Sequence, residues 1–310
     1  MIGCLLPIFF LFFLPKTAFA ITDQSDIDVP DQKVTIEKTS QYRYAARKIW
    51  LYQKPDKNSP RLKSVKKSTR MRVTGICDNG WLQIRLTGKN YYVPSSWLSK
   101  TNGYTVVIDP GHQQKANLSR ELIGPGSKQR KPKVTGGTSG VASKLAEYKL
   151  NLIVAKQLKK ELVSRGYKVI MTRTSHKVNL SNSKRAKIAN KAKADVFLRI
   201  HANSANSSGV KGALTICPTK RNPYCKKIYK QSNQLSKAIL KNFCKATKAK
   251  NRGIMYTDTM SGINWSKVPV TIIEMGFMSN PSEDRKMASA SYQKKMVKGM
   301  AQGIDSYLKR

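Results

Sequence analysis

Histidine is scarce in this sequence, and two of the three histidines follow runs of aliphatic residues. His112 comes after the run at residues 106–108 and the turn Asp-Pro-Gly at residues 109–111, and His201 ends the run at residues 196–200. Asp-Pro-Gly is turn chemistry that ends a strand, and open α/β sheets place their sites at the carboxyl ends of strands. Because imidazole is a common metal ligand, these two histidines indicate a metal site. Spacing alone leaves open the alternative of two unrelated loop histidines.

Two glutamates complete a set that could perform hydrolysis. Glu274 follows the aliphatic run at residues 270–273, and Glu147 lies in the first turn of a predicted helix. Catalytic zinc sites commonly use three protein ligands, such as two imidazoles and a carboxylate, and leave one position for water. A separate carboxylate then acts as general base and acid. Spacing alone does not say which glutamate is the ligand and which transfers protons.

The elements that must position these side chains begin after residue 101, where predicted strands and helices alternate. This alternation is typical of an α/β domain with a mostly parallel twisted sheet and helices on both faces. Apolar residues recur at helical spacing from Leu145 to Leu162, and Gly166 is predicted to close that helix with a left-handed cap. Residues 113–143 are expected to form a long loop, and residues 212–216 an edge strand.

Residues 41–100 have a different pattern, in which short β-like runs alternate with turns. The turns include Asp78-Asn79-Gly80 and the segment at residues 87–90, both typical of hairpins. Short strands at this spacing predict a small all-β barrel. The sequence therefore predicts two folded parts, one at residues 41–100 and an α/β domain at residues 101–310.

The first 40 residues are predicted to be a leader followed by a tether. Residues 8–14 are almost wholly apolar, and Ala18-Phe19-Ala20 matches a signal-peptide cleavage site. The apolar run is too short to span a bilayer, so residues 1–20 are predicted to be a signal peptide. Residues 21–40 are polar and are predicted to be a flexible tether. The mature protein is expected to be secreted, without a transmembrane segment.

The charge of the chain is strongly positive, with 58 Lys and Arg against 17 Asp and Glu and a formal net charge of +41. Such a charge favours a polyanionic partner: nucleic acid, an anionic membrane surface or an anionic cell-wall polymer. The basic residues are spread along the chain, and no zinc-finger, RNP-type or basic-zipper pattern supports specific nucleic-acid binding. Anionic cell-wall polymers are the partner we favour.

The cysteines permit export without requiring it. Four remain after the predicted signal peptide: Cys77, Cys217, Cys225 and Cys244. Cys217 and Cys225 flank a proline-containing loop that a disulfide could close, and free buried thiols are equally compatible with the sequence.

Residues 104–308 resemble the catalytic domain of zinc-dependent N-acetylmuramoyl-L-alanine amidases, which are bacterial cell-wall hydrolases and autolysins. The matching segments occur in family order: Ile108-Asp109-Pro110-Gly111-His112, Glu147-Tyr148-Lys149-Leu150-Asn151-Leu152, Thr172-Arg173, Arg185-Ala186-Lys187-Ile188-Ala189-Asn190, Ala194-Asp195, Arg199-Ile200-His201-Ala202-Asn203 and Ile273-Glu274-Met275-Gly276-Phe277-Met278-Ser279-Asn280. The resemblance implies that His112, Glu147 and His201 bind Zn²⁺ and that Glu274 is the catalytic carboxylate. It also implies that the substrate is the amide between N-acetylmuramic acid and L-alanine in peptidoglycan.

Residues 41–100 resemble a bacterial SH3-like domain through Gly80-Trp81-Leu82-Gln83-Ile84 and Tyr91-Tyr92-Val93-Pro94-Ser95-Ser96-Trp97-Leu98. In that family the domain binds cell-wall peptide or serves as a spacer, and core packing is the alternative role of its aromatic residues. The two resemblances together predict a secreted bacterial protein that is associated with the cell wall.

Several residues around the expected site have two interpretations. His176 stands where the amidases usually have Asp, and a structural role is expected for it. Asn151 and Asn203 could support the metal ligands, or could serve helix packing and strand capping instead. Arg199 could meet a substrate carboxylate, although a salt bridge to Asp109 or Asp195 is the more ordinary role.

Two other functions share parts of this pattern. A zinc carboxypeptidase acting on the stem peptide would use the same metal chemistry but release a different product. A non-catalytic cell-wall-binding protein would release nothing from the wall. The complete set of ligand and proton-transfer residues favours the amidase over both.

Overall fold

The computed structural model describes residues 34–309, so the predicted signal peptide at residues 1–20 and the first part of the predicted tether lie outside the described residues. Residues 36–99 form seven strands: β1 (Ile36–Ala45), β2 (Ile49–Tyr52), β3 (Arg61–Val65), β4 (Arg70–Cys77), β5 (Trp81–Leu86), β6 (Lys89–Pro94) and β7 (Leu98–Ser99). Because β1 begins at Ile36, the predicted tether boundary at residue 40 is too late.

The seven strands form one antiparallel sheet in the order β3-β2-β6-β5-β4-β1-β7. The β5–β6 turn has positive φ angles at Thr87 (49°) and Gly88 (80°), as a tight two-residue hairpin requires. Alternate residues of the strands, among them Leu51 and Val73, are fully buried in a common core. Trp81 is 8% exposed and packs edge-on against Tyr52, so its side chain contributes to packing.

The remaining residues form the α/β part of the chain. Its elements are β8 (Thr105–Pro110), β9 (Asn117–Leu122), β10 (Arg130–Val134), α1 (Glu147–Ser164), β11 (Lys168–Met171), α2 (Asn182–Lys191), β12 (Val196–Asn203), β13 (Ala213–Cys217), α3 (Tyr229–Thr247), β14 (Asn251–Tyr256), α4 (Ser261–Asn264), β15 (Val270–Phe277), α5 (Pro281–Ala288) and α6 (Ala290–Tyr307).

Six of these strands form a mixed sheet in the order β11-β8-β12-β15-β13-β14. Four neighbouring pairs are parallel, and β13 runs antiparallel to β15. The predicted α/β architecture is therefore confirmed, but the mostly parallel arrangement applies to this sheet alone. Across the described residues antiparallel pairs are in the majority, because the seven-stranded sheet and the β9–β10 hairpin are antiparallel throughout.

Helices cover both faces of the six-stranded sheet, as its alternating side chains require. Ile108, Leu198 and Ile273 pack in one buried cluster with residues of α1, α3 and α6. Their chain neighbours Val107 and Phe197 pack on the opposite face with residues of α2 and α4. Both clusters are almost completely shielded from water, so the central strands β8, β12 and β15 are rigidly held.

Two predictions about individual elements are wrong. The segment at residues 113–143 contains the hairpin β9–β10 and is not a continuous loop. The segment at residues 212–216 is not at an edge, because β14 pairs with the outer side of β13. The predicted cap of α1 is confirmed, since Gly166 has a φ of 84°.

Candidate metal centre and catalytic cavity

His112 is aimed by an unusual backbone geometry just after β8. It adopts the left-handed conformation with a φ of 58°, which a non-glycine residue rarely does. A Cβ on the preceding Gly111 would overlap the ring of His201, so glycine is needed for the two histidines to approach each other. His112 Nδ1 lies 2.8 Å from the carbonyl oxygen of Thr135. With Nδ1–H donating to that oxygen, Nε2 is the free ligand atom.

A buried ion cluster holds the end of β8 beneath the site. Asp109 accepts from Arg185 at 2.7 Å, from Arg199 at 2.8 Å and from Thr172 Oγ1 at 2.5 Å. Burial alone would raise the pKa of Asp109, but the two guanidinium groups hold that pKa well below its ordinary value. The salt bridge to Arg199 confirms the more ordinary of the two roles predicted for that arginine.

Glu147 is the first residue of α1, and its carboxylate lies between the two histidines. Its Oε2 is 3.2 Å from His112 Nε2, and its Oε1 is 3.1 Å from His201 Nδ1. Burial alone would raise the pKa of Glu147, but its contacts with the imidazoles of His112 and His201 hold it well below its ordinary value. The carboxylate is thus kept ionised, as a metal ligand must be.

Backbone and amide groups orient the same carboxylate. Asn151 Nδ2 donates to Glu147 Oε1 at 3.1 Å and to the Gly111 carbonyl at 3.3 Å. The N–H groups of Thr138 and Ala202 donate to Oε2 and Oε1. Asn151 therefore supports a ligand, as one of its two predicted roles required.

His201 lies in β12 and has one ring nitrogen without a partner. Its Nε2 is buried and has no hydrogen bond within the described residues. Burial lowers the pKa of His201 to about 4, so the neutral imidazole is favoured near pH 7, and this is the form that binds metals. Asn203, two residues further along, accepts from the Ser204 N–H at 2.8 Å and so caps the end of the strand.

The three side chains brought together here meet the requirements of a metal centre. His112, Glu147 and His201 each offer one ligand atom, and these atoms lie within 4.8 Å of one another. No other group of three such side chains is found in residues 34–309. Two imidazoles and an ionised carboxylate are a donor set that suits zinc.

Glu274 lies beside this group, because β12 and β15 pair in parallel register with His201 opposite Glu274. Its Oε2 is buried and has no hydrogen-bond partner within the described chain. Burial, and next the charge of Glu147, raise the pKa of Glu274 to about 8. A carboxyl group with such a pKa can accept and donate a proton near neutral pH.

The site opens into a cavity of about 230 Å³ that His112, His201, Glu274 and Arg199 line from the sheet side. Its other walls come from residues that the sequence interpretation did not connect with the site: Lys131, Pro132 and Val134 of β10, Asn182 of α2, and Met260, Ser261 and Gly262 around the start of α4. Among these wall residues, Gly262 is the one whose residue type could have indicated the site. A glycine is required there, since a Cβ would overlap the guanidinium of Arg199.

His176 and the cysteines do not belong to the cavity lining. The ring of His176 packs edge-on against Tyr148, with centroids 5.3 Å apart, which supports the structural role expected for it. Cys217 and Cys225 are both buried free thiols, so the candidate disulfide is absent from this structure. Burial raises the pKa of the Cys217 thiol to about 11 and that of Cys225 to about 12.

A His-Glu-His group next to a buried carboxylate without a hydrogen-bond partner has the side chains that metal-dependent hydrolases use. Residues 106–306 match the family model described as N-acetylmuramoyl-L-alanine amidase, and the chain belongs to this family of hydrolytic enzymes. The prediction of an amidase catalytic domain is thereby confirmed. The matched residues lie outside the seven-stranded all-β part.

Individual relatives agree with the family match. The N-acetylmuramoyl-L-alanine amidase LytC of Bacillus subtilis is 28% identical over 207 residues, which cover 66% of this chain and 36% of LytC. The crystal structure of an N-acetylmuramoyl-L-alanine amidase from Clostridium difficile 630 is 30% identical, with a TM-score of 0.55, and the match covers 68% of this chain and 98% of that one. The catalytic domain of CwlV from Paenibacillus polymyxa is 28% identical with a TM-score of 0.54, over 66% of this chain and 98% of that domain.

Proposed function

We propose that this chain is a zinc-dependent N-acetylmuramoyl-L-alanine amidase that cleaves the amide between N-acetylmuramic acid and L-alanine in peptidoglycan. The observation that carries the proposal is the group of side chains beside the cavity, in which Glu147 lies between His112 and His201 while Glu274 has a buried oxygen without a hydrogen-bond partner in the described residues. In a member of the amidase family, this arrangement separates a metal-binding carboxylate from a proton-transferring one.

The proposed ligands of Zn²⁺ are His112, Glu147 and His201. When bound, zinc would lower the pKa of a water molecule and polarise the carbonyl of the scissile amide. The ionised state of Glu147 and the neutral state of His201 support these assignments. The Thr135 carbonyl supports them as well, because it selects the tautomer in which His112 Nε2 is free.

Glu274 is the proposed general base and acid. As water adds to the carbonyl carbon, Glu274 accepts a proton from that water. It then donates this proton to the nitrogen of the leaving L-alanine as the C–N bond breaks, so that the carboxylic acid of the lactyl group and an amine are formed, and the acid then loses its proton to water or to the amine. A carboxyl with a pKa near the working pH suits both transfers.

The test is digestion of purified peptidoglycan with and without a chelator, followed by identification of the products. An amidase is expected to create new lactyl carboxyl groups and new L-alanine amino ends, and chelation followed by zinc addition should abolish and restore this activity. Release of single C-terminal amino acids would identify a carboxypeptidase instead. Absence of any product in the presence of zinc would identify a wall-binding protein.

The domain arrangement is also part of the proposal. We propose a signal peptide at residues 1–20, a tether that follows it and ends before β1, an SH3-like domain from Ile36 to residue 100 and the catalytic domain at residues 101–310. The seven short antiparallel strands around one core support an SH3-like domain. In residues 34–309 no helix is long and apolar enough to cross a membrane. A bacterial protein secreted to the cell wall fits these features.

Anionic cell-wall polymers are the proposed second partner. The helices α1, α3 and α6 carry many exposed lysines, including Lys159, Lys241 and Lys298. No lysine forms an ion pair within residues 34–309. These unpaired charges are spread over helix faces rather than arranged in a motif, which supports long-range attraction more than specific nucleic-acid binding.

A further inference from the structure

The hairpin β9–β10 is a fixed wall of the catalytic cavity. The buried carboxylate of Glu121, in β9, accepts from Ser183 Oγ at 2.6 Å and from Ser261 Oγ at 2.9 Å. Trp265 Nε1 donates to the Leu122 carbonyl at 2.9 Å. These contacts attach the hairpin to α2 and to both ends of α4. The residues of β10 therefore face the cavity from a defined position.

Lys131 places a cation in that wall. Its side chain is half-buried and lines the cavity together with Arg199 and Glu274. Lys131 Nζ donates to the Thr259 carbonyl at 2.9 Å and forms no ion pair within the described residues. Burial and the charge of Arg199 lower the pKa of Lys131, which shows that its ammonium group lies in a partly desolvated, positive environment. An ammonium group has three donors, so two remain for a ligand.

The buried arginines near the cavity outnumber the carboxylates that pair with them. Asp109 is the single carboxylate shared by Arg185 and Arg199. Arg173, in the same buried region, donates to four backbone carbonyl oxygens and to no carboxylate. Glu147 lies at the proposed metal, whose positive charge it would offset in part. The cavity thus has an excess of positive charge next to Lys131, and desolvated charge favours a partner of opposite sign.

We propose that Lys131 is a specificity-determining residue that binds a carboxylate of the stem peptide close to the scissile amide. This inference rests on the proposed amidase function and names its preferred substrate class. Stem peptides that carry a free carboxylate on the residue following L-alanine are the preferred substrates, and peptides with a carboxamide at that position are poorer ones. The loss of an ammonium–carboxylate hydrogen bond in the carboxamide accounts for the difference.

The experiment compares two synthetic muramoyl peptides that differ only in carboxylate or carboxamide on the residue after L-alanine. For the zinc-loaded full chain we expect kcat/KM to be at least about 10-fold higher with the carboxylate. Lys131→Met should remove this preference by lowering kcat/KM for the carboxylate peptide alone, and Lys131→Arg should retain it. Lys128→Met is the matched control, because Lys128 is exposed on the same hairpin, and it should leave both values unchanged.

Three other outcomes of these assays would contradict the inference. An equal loss on both peptides in Lys131→Met would show that Lys131 only holds the hairpin to the Thr259 carbonyl. Equal cleavage of both peptides by the parent protein, or preference for the carboxamide, would show that the cavity does not select a carboxylate. If the parent protein cleaves neither peptide, the proposed amidase function is wrong and this inference is wrong with it.

Discussion

Glu147 and Glu274 are both buried beside His201, yet the pKa of one is lowered and that of the other is raised. The difference comes from hydrogen bonding. The carboxylate of Glu147 is surrounded by two imidazole nitrogens, two backbone N–H groups and Asn151. Glu274 Oε2, by contrast, has no hydrogen-bond partner in the described residues. Two carboxylates whose environments separate their pKa values are typical of divided acid–base roles.

Replacing Glu274 tests its proposed role in proton transfer. Glu274→Gln preserves the shape of the side chain but cannot carry a proton between water and amine, so kcat should fall by about 10²–10⁴-fold. Zinc content, measured by metal analysis, should remain that of the parent protein. Glu37→Gln, at an exposed position in β1, is the control and should be fully active. Activity above a tenth of the parent value in Glu274→Gln would contradict the assignment.

The same residue should make the stability of the metal-free protein depend on pH. Because the pKa of Glu274 is raised from 4.5 to about 8 on folding, the folded state binds the proton more tightly than the unfolded state. Stability from this group is therefore complete below about pH 4.5 and is lost as the pH rises through about 8. Glu274→Gln lacks this titration.

Denaturant unfolding of both proteins in chelator at several pH values provides the measurement. The free energy of unfolding of Glu274→Gln, minus that of the parent, should increase between pH 5 and pH 8 by more than about 1 kcal/mol. A difference that does not change with pH would show that burial does not raise the pKa of this carboxyl.

At the scale of elements, the predictable features were those with a strong local signal. The runs that precede His112, His201 and Glu274 are mostly apolar, because β8, β12 and β15 are buried on both faces of the sheet. The structure continues β12 past His201 to Asn203 and β15 past Glu274 to Phe277. Helix α1 was predictable from its apolar spacing and its closing Gly166. The four site residues could be found because each follows one of these runs or lies in the first turn of α1.

The elements that were missed are held by long-range contacts. The sequence of β9–β10 is rich in lysine and arginine, and the hairpin is held by Glu121 and Trp265, which meet residues about 60 and 140 positions away. Strand β14 begins with Asn251, Arg252 and Gly253, so its local sequence did not indicate that it would extend the sheet beyond β13. The cavity wall at Lys131 could not be predicted, since its neighbour Thr259 is 128 residues away.

Close packing of α3 against α6 gives a prediction about stability. A Cβ at Gly303 would lie 2.7 Å from Ile239 Cα, a backbone atom that cannot rotate away. Gly303→Ala should therefore destabilise the fold by about 1–3 kcal/mol through overpacking, although Gly→Ala inside a helix is otherwise favourable. Lys294→Ala, at an exposed position of the same helix, is the control in denaturant unfolding. A Gly303→Ala variant as stable as the parent would show that the helices can separate at no cost.

At the scale of the whole molecule, the surface is more basic than the composition suggests. Several of the 17 acidic residues, including Asp109, Glu121, Glu147 and Asp284, are buried and used internally. Within residues 34–309 the basic residues are mostly on the surface without acidic partners. Long-range attraction to a polyanion follows from this distribution.

Binding to cell walls should therefore respond to salt and to the polymer content of the wall. We expect the fraction of protein that sediments with isolated walls to fall when salt is raised from about 50 mM to 500 mM, because screening shortens the Debye length. Walls stripped of anionic polymers should bind less protein at low salt than intact walls. Sedimentation that is unaffected by both treatments would show that charge does not direct the protein to the wall.

Helix α1 runs from the candidate metal centre to the all-β part of the chain. Its first residue is Glu147 in the metal centre, and just beyond its other end Gly166 packs against Tyr44 of the all-β part and accepts from the Asn102 N–H at 2.8 Å. An 18-residue helix is about 27 Å long. Because a helix is a stiff spacer, the carboxylate of Glu147 and the contact with Tyr44 are held at a fixed separation.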